Sequence, residues 1–139
     1  MANAAKMGDL IGKGVADMVP RFEFLKEVRW RGLMMGIEFG SPKSISLKIA
    51  WTTCHTLDKS LFPQAAVIPL LDKHRIITQV AGHAVDVVKL LPPLIITETD
   101  AQWFLTAFED VMEQMHKFPG PAWDVLAGIG KMAVTQRAR

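Results

Sequence analysis

The sequence has little of what marks secreted, membrane and nucleic-acid-binding proteins. Its single cysteine, Cys54, excludes a disulfide within the chain and favours a reducing compartment, so a cytoplasmic location is expected. No apolar run reaches the roughly 18 to 20 residues of a membrane-spanning helix, and the amino terminus lacks the layout of a signal peptide. The formal net charge is only +2. This charge is too small to indicate a nucleic-acid or membrane-surface partner.

What the chain has in quantity is apolar side chains. Half of its 139 residues are hydrophobic, and eight of them are methionines. The length suits one domain with a core of its own. A chain this apolar is expected to expose a surface that another part of a larger protein normally covers. The composition therefore favours a fragment over a self-sufficient domain.

The apolar periodicity predicts helices and strands in alternation. Helices are predicted at residues 3–19, from Ser44 or Ser46 to residue 59, and at 97–116. Strands are predicted at residues 22–30, 33–39, 65–70, 75–80 and 85–91, with a helix as the alternative for 65–70. The tail after residue 118 is expected to be a short helix or disordered. The predicted fold class is α/β (α+β), a small mixed or antiparallel sheet covered on one face by helices.

The most informative segment runs from Val85 to Asp100. A β-branched run leads into Lys89, the pair Pro92-Pro93 stops the strand, and Thr97 then opens a helix with a capping-box pattern. This order of strand, basic residue, Pro-Pro and capped helix resembles the carboxyl-terminal segment of class III aminotransferases, which are pyridoxal-phosphate enzymes.

Two further segments carry the same resemblance. Residues 8–12, GDLIG, are similar to the family's last long helix before its small domain. Residues 27–39, EVRWRGLMMGIEF, closely resemble its hairpin pattern V-R-G-x-G-L-M-x-G-I-E-F. The three segments stand in the family's order. The resemblance thus identifies residues 1–118 as the small, carboxyl-terminal domain of a fold-type-I aminotransferase and residues 119–139 as an extension.

The resemblance implies an enzyme activity to which this chain would contribute only the small domain. Family enzymes pass an amino group from an amino acid or diamine to a 2-oxo acid through pyridoxal phosphate. Their Schiff-base lysine, their pyridine-binding aspartate and their phosphate-binding loop lie in the large domain, and nothing here resembles them. No catalytic or cofactor-binding residue is therefore expected in this chain, and alone it should be inactive. Family enzymes are homodimers, so a homo-oligomer is expected, with the apolar face of helix 3–19 in the contact: Leu10, Ile11, Val15 and Met18.

Two residues are candidates for substrate binding. Lys89 stands where the family usually has an arginine that grips the substrate carboxylate; lysine keeps the charge but loses the planar, two-pronged fork. The alternative is a strand-end lysine whose stem packs while its ammonium reaches water. His83 follows Gly82 just before the Lys89 strand, and either lines a substrate entrance or is a polar turn residue.

Other chemistry-bearing residues suggest no site. Cys54 and His55 lie on a predicted helix without a third ligand or a second base, which argues against a metal site and a thiol nucleophile. The glycines at 8, 12 and 14 do not follow a strand, so they do not form a phosphate-binding loop. Trp30 stands where the family commonly has glycine, and it puts the family's hairpin-turn geometry in question.

Two interpretations remain. In the first, the chain is the carboxyl-terminal part of a class III aminotransferase; Met1 then falls inside a helix that is continuous in the family, which suggests a truncated, split or secondary start. In the second, the chain is a stand-alone, non-enzymatic module that kept the small-domain fold and binds a partner through its apolar surface.

Overall fold

Four strands form one antiparallel sheet, and helices cover one face of it. The computed structural model describes residues Met1 to Arg139. The sheet order is β1-β2-β4-β3, which confirms the predicted fold class. The elements are α1 (Ala2–Met18), β1 (Leu25–Arg31), β2 (Met34–Phe39), α2 (Ile45–Leu57), α3 (Gln64–His74), β3 (Gln79–Val80), β4 (Val87–Leu90), α4 (Glu98–Met115) and α5 (Pro121–Arg137). None of these helices combines the length and the apolarity that crossing a membrane requires.

Glycines let α1 lie directly on the β1–β2 hairpin. The hairpin turns at Gly32, whose φ of +56° is one that glycine adopts without steric cost. A Cβ on Gly8 would lie 1.9 Å from the carbonyl oxygen of Gly32, and one on Gly12 would lie 2.2 Å from the indole of Trp30. Trp30 is therefore a strand residue packed over α1, and its Nε1 donates a hydrogen bond to Asp9 Oδ1 at 2.9 Å.

The apolar face of α1 packs within its own chain. Ile11, Val15 and Met18 are 2%, 0% and 5% exposed, and Leu10 is half-buried. The expectation that this face lies open for a partner is wrong. The reason is that α1 is sandwiched between β1 and α4, so the sheet and a second helix supply the cover that a large domain was expected to supply.

Two short apolar segments differ from the predicted strands. Residues 65–70 belong to α3, and the predicted strand 75–80 shrinks to the two residues of β3. Ala65, Ala66 and Leu70 are buried on the face of α3 that meets α4. An apolar run of six residues does not by itself distinguish a buried helix from a buried strand. Here the packing against α4 stabilises a helix, which is the alternative given above for residues 65–70.

The carboxyl-terminal half confirms one prediction and decides between two alternatives for the tail. α4 is the longest helix, and Thr97 caps it in the predicted capping box, with Asp100 Oδ2 accepting from the Thr97 backbone N–H at 3.0 Å. The tail is not disordered, since α5 spans 17 residues. Trp123 and Leu126 bury its inner face against α2, α3 and α4. The single hydrophobic core thus extends into the tail.

Candidate functional site

Lys89 lies in the interior of the sheet. β4 is hydrogen-bonded to β2 on one side and to β3 on the other. In this register Lys89 stands opposite Gly36 of β2 and opposite Gln79 of β3, and Gly36 in turn stands opposite Arg29 of β1. Directly paired residues share a face of the sheet. Arg29, Gly36, Lys89 and Gln79 therefore form one row across it, called here the Lys89 row.

The Lys89 row lies on the face that no helix covers. Val88 and Leu90 are 0% and 7% exposed and point into the core, so Lys89 between them points the other way, because successive strand side chains alternate. Lys89 is half-buried. Beside it Gly36 has no side chain, and a Cβ placed there would meet only Val87 Cγ1, at 3.5 Å. The lysine therefore borders an open position on the sheet.

The charge of Lys89 is not neutralised by a neighbour. Arg29, in the same row, is held between two carboxylates, with Nε 3.0 Å from Glu27 Oε1 and an Nη 3.4 Å from Glu38 Oε2. Glu38 also pairs with Lys26 at 3.0 Å. Lys89 has no carboxylate within 4.0 Å. A half-buried ammonium without a counter-ion is a favourable place for an anion.

His83 lies apart from Lys89. It sits in the turn between β3 and β4, whereas Lys89 and Gln79 form the pair furthest from that turn. The Ser60 hydroxyl accepts a hydrogen bond from the Ala84 N–H at 3.0 Å and lies 3.0 Å from His83 Nδ1. The hydroxyl proton is therefore available to His83. No contact joins the two predicted substrate-binding residues.

Gln79 and Gly36 were missed as members of the row. Gln79 and Lys89 each lie five positions from Ala84, whereas a hairpin symmetric about Gly82-His83 would pair Gln79 with Asp86. The turn residues alone therefore did not give the register of this hairpin. Gly36 could not be found from a turn either, because β2 and β4 are far apart in sequence and only the folded sheet sets their register.

A side-chain hydrogen bond fixes the start of β4. His55 Nδ1 lies 2.7 Å from the Trp51 carbonyl oxygen, and Nε2 lies 2.8 Å from Asp86 Oδ2. The contact with Asp86 joins α2 to the residue before β4. It was not anticipated, since His55 and Asp86 lie 31 positions apart.

The neighbouring Cys54 is not an activated nucleophile. Burial, and secondarily the negative charge of Asp86, raise the pKa of the Cys54 thiol to about 11. The thiol is therefore protonated at neutral pH, and a protonated thiol is a poor nucleophile and metal ligand. No group of three or more histidine, cysteine, aspartate or glutamate residues is arranged to hold a metal ion.

The residues of this chain do not make a pyridoxal-phosphate site by themselves. Such a site needs a lysine that reaches into an enclosed pocket beside a phosphate cradle. Every lysine except Lys89 is exposed, and Lys89 lies on the open sheet face. A cavity of about 630 Å³ beside α1 and α4 has no lysine in its wall. A complete cofactor site would need residues from outside this chain.

Comparison with solved structures places the fold among transaminases. The chain superimposes on a thermostable omega transaminase from Pseudomonas jessenii with a TM-score of 0.59 and 22% identity, over 86% of this chain and 24% of the other. It matches the same organism's enzyme in complex with PMP with a TM-score of 0.57, over 81% and 22% of the two chains. A transaminase from the marine bacterium Virgibacillus gives 0.59 at 22% identity, over 81% and 24%.

Sequence comparison defines the family. The family model for class-III aminotransferases matches residues 1–112, so the chain belongs to the class III aminotransferase family, which uses pyridoxal phosphate. Among curated relatives, aminotransferase PigE of a Serratia species is 23% identical, over 85% of this chain and 17% of its own length. An Arabidopsis thaliana mitochondrial protein, alanine–glyoxylate aminotransferase 2 homolog 2, is 25% identical over 81% and 21%. The chain thus spans about a fifth of the length of these relatives.

Proposed function

We propose that this chain is the carboxyl-terminal small domain of a class III aminotransferase, with residues 1–118 as the domain and residues 119–139 as an extension packed on it. The enzyme transfers an amino group from an amino acid or diamine to a 2-oxo acid, in the cytoplasm. The observation that carries the proposal is the Lys89 row. It presents an unpaired cation on an uncovered sheet face, three residues before Pro92-Pro93.

In this proposal the chain binds and orients the substrate. The cofactor, when held by the rest of the enzyme, supplies an electron sink for the bonds that break at the amino carbon. Lys89 holds the substrate carboxylate by its charge, the amide of Gln79 lies next to it in the row, and the bare position at Gly36 leaves room for the bound group. A single ammonium fixes a carboxylate less rigidly than an arginine fork does. His83, in the turn between β3 and β4, lines the entrance to the site.

Substrate binding is tested by supplying the missing part of the enzyme. The chain is co-expressed with the large-domain segment of a class III relative, and amino transfer is measured with a 2-oxo acid acceptor. Lys89→Gln should raise KM for the carboxylate substrate about tenfold, with a smaller change in kcat, because a charge-assisted contact is lost. Lys89→Arg is the matched variant that should keep KM low. An unchanged KM for Lys89→Gln would contradict the assignment.

Inactivity of the isolated chain is tested separately. The purified chain is incubated with pyridoxal phosphate, reduced with borohydride and analysed by mass spectrometry. We expect only scattered, substoichiometric labelling of exposed lysines, because none lies in a pocket that could hold the cofactor. One lysine labelled selectively and stoichiometrically would overturn this part of the proposal.

A second function, that of a non-enzymatic interaction module, is favoured by one observation. Leu94 and Ile95, next to Pro92-Pro93, are 71% and 86% exposed, which is unusual for adjacent large apolar residues. Such residues suit a partner surface as well as a missing domain. The gene neighbourhood separates the two functions. An upstream reading frame that encodes a large domain with its lysine favours the enzyme, and its absence favours the module.

Self-association is part of the proposal for either function. The contact cannot use the buried face of α1, so it must involve another surface. Sedimentation velocity at tens of micromolar should show a dimer or a larger species. A single monomeric boundary at that concentration would remove this part of the proposal and leave the Lys89 site untouched.

A further inference from the structure

A cavity lies between α1, α4 and the chain around β3 and β4. Its wall includes Leu90, which points into the core, so the cavity is on the opposite side of the sheet from the Lys89 row. Its volume is about 630 Å³. This volume falls within the range of small-molecule sites, about 300 to 1,000 Å³. Nine of its 14 lining residues are hydrophobic. Representative wall residues are Ile11, Ile77, Leu91, Ile95, Trp103 and Phe104.

One arginine at this cavity has no acidic partner. Arg75 lines the cavity and appears in none of the ion pairs of the chain, whereas Lys73 and His74 just before it both pair with Asp110. Arginine is the residue best suited to bind a carboxylate through two parallel hydrogen bonds. Its charge is therefore available to a ligand that enters the cavity.

The backbone at Arg75 holds the residue in an unusual conformation. Arg75 follows α3 with φ +58° and ψ +32°. Its backbone N–H donates to the Leu71 carbonyl oxygen and the N–H of Ile76 donates to that of Leu70, which closes the helix end. This left-handed position is normally taken by glycine, and a side chain there costs roughly 1 kcal/mol. The conformation fixes the direction in which the arginine leaves the backbone. It is a second observation, independent of the cavity, that sets Arg75 apart.

The other charged residue in the wall is already engaged. Asp100 Oδ2 accepts hydrogen bonds from the backbone N–H and the hydroxyl of Thr97, at 3.0 and 2.8 Å. These bonds lower the pKa of Asp100, so it stays ionised within the capping box of α4. The charge of Asp100 is thus held within the capping box, whereas the Arg75 guanidinium has neither a hydrogen-bond partner nor a counter-ion. An apolar cavity whose one uncommitted charged side chain is a guanidinium favours a ligand with an apolar body and one negative end.

We propose that this cavity binds an amphipathic monocarboxylate, with the carboxylate on the Arg75 guanidinium and the apolar body between α1, α4 and the Leu91–Ile96 segment. The site is separate from the Lys89 row, which lies on the other face of the sheet, so it does not depend on the proposed transaminase function. Trp103, which is 53% exposed at the cavity wall, would be covered by the bound ligand.

The test uses decanoate, decanol and decylamine below their micelle concentrations with the full chain at neutral pH. Binding is measured by calorimetry and by the blue shift of tryptophan fluorescence. Decanoate should bind at least about tenfold more tightly than decanol, because only the carboxylate meets the arginine charge. Trp103→Phe should remove most of the spectral shift while calorimetry still reports binding.

Variants at Arg75 separate charge from folding. Arg75→Gln should weaken decanoate binding about tenfold and leave decanol binding unchanged, and Arg75→Lys should retain part of the preference. Arg75→Gly should also weaken decanoate binding about tenfold. It should not lower stability, because glycine adopts the left-handed conformation at this position without steric cost. Arg31→Gln, at an exposed arginine of β1, is the matched control and should bind decanoate normally. Equal binding of decanoate and decanol, a preference for decylamine, insensitivity to Arg75, or no binding at all would each overturn the proposal.

Discussion

His116 is the residue whose protonation the fold opposes most clearly. Its Nδ1–H donates to the Met112 carbonyl oxygen at 2.6 Å, and its Nε2 accepts from the Phe24 N–H at 3.2 Å. The ring also packs against the rings of Phe22 and Phe24. Both nitrogens are thus satisfied by the neutral tautomer. Burial lowers the pKa of His116, although the Met112 hydrogen bond and the charge of Glu23 oppose the shift.

The stability of the chain should therefore fall on acidification. Because the pKa of His116 is lower in the folded than in the unfolded state, the unfolded state takes up more protons below about pH 6.5. The free energy of unfolding is then largest above this pH and declines as the pH falls through the folded-state pKa. Urea unfolding at pH 7.5 and pH 5.5 measures the difference.

Two variants identify His116 as the cause. His116→Asn should lower the free energy of unfolding by about 1 to 3 kcal/mol at pH 7.5, because the Phe24 N–H and the Met112 carbonyl lose their hydrogen-bond partner. It should also flatten the pH dependence of this free energy. His83→Asn, at an exposed histidine, should keep the wild-type slope. An identical slope in His116→Asn would show that another group controls the acid response.

At the scale of elements, the contact of α1 with the hairpin depends on a backbone-to-backbone approach. Gly8→Ala would place a Cβ 1.9 Å from the Gly32 carbonyl, and no side-chain rotation can relieve that overlap. We expect a loss of about 2 to 4 kcal/mol in the free energy of unfolding. Gly128→Ala in α5 meets open space and should stabilise by about 0.5 to 1 kcal/mol through helix propensity. Equal effects of the two alanines would contradict this packing.

The anchoring of α5 depends on one tryptophan. Trp123 is 6% exposed, donates from Nε1 to the Met115 carbonyl oxygen at 3.0 Å, and packs near Phe24, Phe62 and Phe118. Trp123→Ala should cost about 3 to 5 kcal/mol, measured by circular dichroism. Val125→Ala, at a neighbour that is 51% exposed, should change stability by less than about 0.5 kcal/mol. A mild effect of Trp123→Ala would mean that α5 is only loosely attached.

At the scale of the whole molecule, the tail belongs to the folding unit even though the family model ends at residue 112. A chain ending at residue 118 loses Trp123 and Leu126 from the core and should melt more than about 10 °C lower than the full chain. A chain ending at residue 131 loses almost only exposed residues and should melt within a few degrees of it. Thermal denaturation of the three lengths distinguishes a packed tail from a dispensable one.

The sequence by itself determined the features that depend on near neighbours. The capping box at Thr97, the β1–β2 hairpin and the end of β4 before Pro92-Pro93 follow from steric and hydrogen-bonding preferences over a few residues, and their order was enough to indicate the family. Only the tertiary structure decided α3 over a strand, the burial of α1, the packed α5, and the row that joins Lys89 to Gly36. These depend on contacts between residues far apart in the chain, and a local pattern does not specify which surfaces will meet.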